Sequence, residues 1–82
     1  MYTVKVLINT FSKARRFCSA VNRLEGEFDL VSDRYVINAK SMLGIFSLDL
    51  SQPLQLNIYS QEPREQVLEA LASFIVPETE EE

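Results

Sequence analysis

At 82 residues with 46% hydrophobic side chains, the chain is long enough for one compact domain to outweigh its conformational entropy and too short for a second. A single cysteine excludes an internal disulfide and, with no histidine present, leaves a structural zinc site without a ligand set; that usage suits a reducing, cytoplasmic setting. The net charge of -4 resides in one place: Glu78, Glu80, Glu81 and Glu82 follow Pro77, and without them the remaining eight acids balance the eight bases.

In chain order, Tyr2, Val4, Val6 and Ile8 alternate with Thr3 and Lys5, the period of a half-buried strand. A helix follows. Thr10 or Ser12 can cap its N-terminus, Ala14, Phe17, Cys18, Val21 and Leu24 fall on one apolar stripe, and Gly26 ends it. Cys18 is thereby placed in the core rather than read as a reactive thiol. Phe28 to Val31 and Tyr35 to Ile37 flank Ser32, Asp33 and Arg34 as a hairpin. Ser41 to about Leu48 reads as a short helix, Leu54, Leu56 and Ile58 as a further strand, and Val67, Leu68, Leu71, Phe74 and Ile75 as the stripe of a final helix. The order is βαββαβα. One domain over 1–76 and an acidic, flexible tail over 77–82 are expected.

Lys5, Lys13, Arg15, Arg16 and Arg23 all precede the first acid, Glu25, so the first two elements are wholly basic. Such a run serves as a solvated helix face or as a docking surface for an acidic partner or a phosphate. Direct nucleic-acid binding is not expected, because aromatic residues do not interleave with the bases. Nor is a membrane role: no apolar run approaches the roughly 20 residues of a span, and the N-terminus lacks a signal-peptide apolar region.

The second helix is the most distinctive stretch. In "NAKSMLGIFSLDL", Asn38 to Leu50, the apolar residues Met42, Leu43, Ile45 and Phe46 follow Ser41 too densely for all to face inward. With the element order, this segment strongly resembles the histidine-containing phosphocarrier protein of the bacterial sugar phosphotransferase system, HPr, over nearly the whole chain from Tyr2 to Ile75. The resemblance implies an α+β open-faced β-sandwich: a four-stranded antiparallel sheet of order 1-4-2-3 with three helices on one face.

In that family, phosphoryl transfer uses a histidine at the start of the first helix, followed two residues later by an arginine and then a proline. Those positions fall on Thr10, Ser12 and Lys13, and all three differ. An imidazole is needed because its nitrogen is nucleophilic near neutral pH and its phosphoramidate passes the group onward. This chain has no histidine at any position, so a phosphohistidine relay is excluded by composition. The same helix start is either a remnant anion site beside Lys13 or a plain cap.

The resemblance further implies that Ser41 matches a serine phosphorylated by an ATP-dependent kinase, and that Met42, Leu43 and Phe46 form an exposed docking patch while Ile45 and Leu48 turn toward the sheet. Lys40, Arg15 and Arg16 complete the expected partner-binding set. Ser41 can equally serve as a plain N-cap. The leading expectation is a non-catalytic regulatory relative, similar to catabolite-repression HPr-like proteins that lack the relay histidine but keep the serine. Its partners would be proteins, a serine kinase and a transcriptional regulator, with no cofactor or metal. It would be a monomer or a weak homodimer. The alternative is a constitutive interaction module without phosphorylation. An ordinary enzyme is not expected, since no nucleophile and base pair is recognisable.

Overall fold

The structure is a computed structural model and describes residues 1–33 and 35–77, so the acidic tail expected at 77–82 lies, apart from Pro77, outside the described residues. Strand β1 (Tyr2–Val6) turns Thr3 and Lys5 to solvent and Val6 fully inward. Helix α1 (Phe11–Asn22) starts at Thr10, whose extended backbone and side-chain oxygen satisfy the Lys13 amide. Its apolar positions recur every three or four residues, so Ala14, Phe17, Cys18 and Val21 are buried on one stripe.

Strands β2 (Glu27–Val31) and β3 (Val36–Asn38), helix α2 (Met42–Phe46), strand β4 (Leu54–Tyr59) and helix α3 (Arg64–Ala70) complete the chain. The sheet runs β1-β4-β2-β3 with every pair antiparallel. Its register aligns Val4, Leu56, Leu30 and Ile37 in one apolar row across all four strands. The next row, Lys5, Gln55, Val31 and Val36, points the other way because side chains alternate along a strand. The inner face joins the α1 stripe, Ile45 of α2 and Val67 of α3 in one core. Each fully buried Phe, Leu or Ile there contributes about 1.5–3 kcal/mol. The architecture is the open-faced α+β sandwich of order 1-4-2-3.

Helix α1 ends at Asn22, short of the Leu24 and Gly26 of the sequence reading, and β1 ends at Val6, short of Ile8; three further elements differ in detail. Strand β3 begins at Val36 rather than Tyr35, because the Ser32 amide donates to the Tyr35 carbonyl at 2.9 Å and draws Tyr35 into the loop. Helix α2 is five residues long, since Ser47 caps it and its hydroxyl donates to the Gly44 carbonyl at 2.6 Å. The third difference lies at the end of the chain. Helix α3 stops at Ala70, Leu71 to Phe74 continue as turns, and Ile75 bridges Val6 instead of extending the helix. The Leu7 amide donates to the Phe74 carbonyl at 2.9 Å and the Val76 amide to the Lys5 carbonyl at 2.8 Å. These bonds cover the C-terminal end of the outer edge of β1, which would otherwise present unpaired backbone groups there.

Gly26 makes the turn from α1 into β2 with φ at 110°. A Cβ there would run into the Tyr59 carbonyl oxygen and lie 2.7 Å from Ser60 Cα, so backbone rather than a flexible side chain would have to yield. Gly26→Ala is therefore expected to destabilise the fold by roughly 1–3 kcal/mol, the range for a strained backbone position. Thermal unfolding followed by circular dichroism should show a fall of about 4–8 °C per kcal/mol for a domain of this size. An unchanged midpoint would contradict the assigned turn.

Candidate functional site

The two positions singled out for chemistry are both helix caps. The Thr10 hydroxyl accepts from the Lys13 amide at 3.0 Å, and the Ser41 hydroxyl accepts from the Gly44 amide at 3.2 Å. Both residues are exposed. Among the described residues, neither hydroxyl is hydrogen-bonded to a side chain that could act as a general base. Each can accept a group from an enzyme that brings its own base; neither is poised to attack unaided.

Helix α2 divides its apolar residues between two environments. Ile45 is buried, and Gly44 lets the helix approach the sheet, with space for a Cβ only 3.3 Å from Ile37 Cδ1. Leu48, just beyond the helix, is half-buried against the core. The other three side chains point away. Leu43 is 86% exposed, Met42 39% and Phe46 37%. The dense apolar run is thus split, with one side anchoring the helix and the other left at the surface.

Phe11, which the sequence reading passed over, joins this surface. Its ring stacks on Phe46 with centroids 5.1 Å apart and planes at 22°, yet Phe11 remains 67% exposed. The Arg15 guanidinium lies 5.9 Å from the centre of the Phe11 ring. The result is an apolar surface joining the start of α1 to the end of α2, with Arg15 beside it. A sequence signal existed: Phe11 falls three residues before Ala14 and seven before Cys18, on the spacing of the α1 stripe, but at a position beyond the reach of the core.

Lys40, one of the expected partner-binding residues, has partners within the fold. Its ammonium donates to the Leu24 carbonyl at 2.8 Å and lies 5.7 Å from the Phe28 ring centre. That carbonyl lies just past the end of α1, where helix carbonyls lack intrahelical partners, and a lysine is well suited to satisfy it. The Lys40 side chain therefore supports the fold. Asn22 reinforces the same junction, its amide donating to the Lys40 carbonyl at 3.1 Å and to the Cys18 carbonyl at 2.8 Å.

Cys18 is buried beneath this junction. Burial pushes its thiol pKa up, an effect only partly offset by the Asn22 hydrogen bond, so the reactive thiolate is disfavoured. Among the described residues no group of three or more His, Cys, Asp or Glu side chains is placed to hold a metal ion, and no helix is long and apolar enough to cross a membrane.

The family model described as the PTS HPr component phosphorylation site matches residues 11–76, beginning at the residue after Thr10. Among solved structures, the crystal structure of HPr-C-His from Thermoanaerobacter tengcongensis is similar, with a TM-score of 0.74 and 25% sequence identity over 89% of each chain. No curated protein sequence matches the chain.

The surface makes different demands on its residues, and substitutions should separate them. Leu43→Ser is expected to leave the melting temperature within the change of about 0.5 kcal/mol usual for a surface site. Phe46→Ser should cost clearly more, because it removes an aromatic pair worth about 0.5–1.5 kcal/mol beyond its buried area. Ser41→Ala should cost about 0.5–2 kcal/mol as a lost N-cap. Equal midpoints for Leu43→Ser and Phe46→Ser would show that the Phe11–Phe46 stack does not form.

Proposed function

The chain belongs to the family of PTS HPr components, phosphocarriers that work by binding other proteins of the phosphotransferase system, and on that premise we propose that it is a non-catalytic, regulatory member. The observation that carries this reading is an exposed apolar surface, Phe11, Met42, Leu43 and Phe46, beside an exposed serine in a chain with no histidine. A threonine at the position of the family histidine cannot take over the relay, because an alcohol forms a stable phosphate ester where imidazole forms a labile phosphoramidate.

In this reading the chain acts by protein–protein contact in the cytoplasm, through the surface shared by α1 and α2, with Arg15 and Arg16 facing acidic groups of the partner. Ser41 is its phosphorylation site. A phosphate there would add roughly 1.5 to 2 negative charges next to Met42, Leu43 and Phe46, turning an apolar surface into a mixed apolar and anionic one that a transcriptional regulator can distinguish. The HPr-like unit is assigned to 1–76, and the acidic segment 77–82 is a tail outside it.

A second reading is favoured by the Ser41–Gly44 hydrogen bond, which accounts for the serine by capping alone. The chain would then be a constitutive interaction module in which the same surface binds without modification.

Phosphorylation separates the two. Incubated with phosphoenolpyruvate and the general phosphotransferase enzyme, the protein should acquire no acid-labile phosphate; its appearance would overturn the non-catalytic reading. With an HPr-type serine kinase and ATP, mass spectrometry should find one acid-stable phosphate, on Ser41, and none in Ser41→Ala. An unmodified wild type, or equal modification of the alanine variant, would leave the constitutive module as the function.

A further inference from the structure

We draw no further inference here: the strongest candidate, the outer edge of strand β3 with its exposed Val36, carries nothing because no feature of the described residues shows what covers it.

Discussion

Everything else in the molecule rests on the burial of one face of the sheet beneath the apolar stripe of α1. Leu30, Leu56 and Ile58 on the strands and Phe17 and Val21 on the helix are all fully inaccessible, and Phe17 meets Phe74 edge-on with centroids 5.4 Å apart. In a domain this small, such burial is the dominant favourable term against chain entropy. It also sets the register, because a one-residue slip of β4 would carry Leu54, Leu56 and Ile58 to the solvent face. Once α1 is seated, its first turn, with Thr10 and Phe11, is held at a definite place beside α2.

The surface between α1 and α2 follows from a packing limit. A five-residue helix touches the core with about one residue per turn, and here that residue is Ile45. Leu43 lies away from it at 86% exposed, while Met42 and Phe46, at 39% and 37%, sit at the edge of the inward face. Phe11 and Phe46 then cover part of each other, which lowers the exposed apolar area without removing it. What remains is an apolar surface with the Arg15 guanidinium beside it, physically suited to a partner that combines apolar and acidic side chains.

The family relationship and the composition point in different directions: residues 11–76 match the family model, and the chain contains no histidine. Residue 10 stands at the start of the first helix as its N-cap and presents a hydroxyl oxygen there. The cap uses that oxygen as an acceptor for the Lys13 amide, so the hydroxyl serves the helix. The apolar surface at α1 and α2 is held in place by the same packing that builds the core.

How much was legible in the sequence depends on the distance over which each feature is decided. The alternation of Tyr2, Val4 and Val6 and the stripe from Ala14 to Val21 are local periodicities, and each specifies which face must be buried. The exclusion of a histidine relay is compositional and needs no structure. The density of apolar residues after Ser41 likewise showed that some must stay outside, because a helix has only one inward face. Tertiary contacts decided the rest. That Phe11 stacks on Phe46, 35 positions away, that the Lys40 ammonium turns to the Leu24 carbonyl, and that Ile75 leaves its helix to bridge Val6 are outcomes of long-range competition. In each case a group left unsatisfied by its own segment, an exposed ring, an orphan carbonyl or an unpaired strand edge, found a partner that only the folded chain brought within reach.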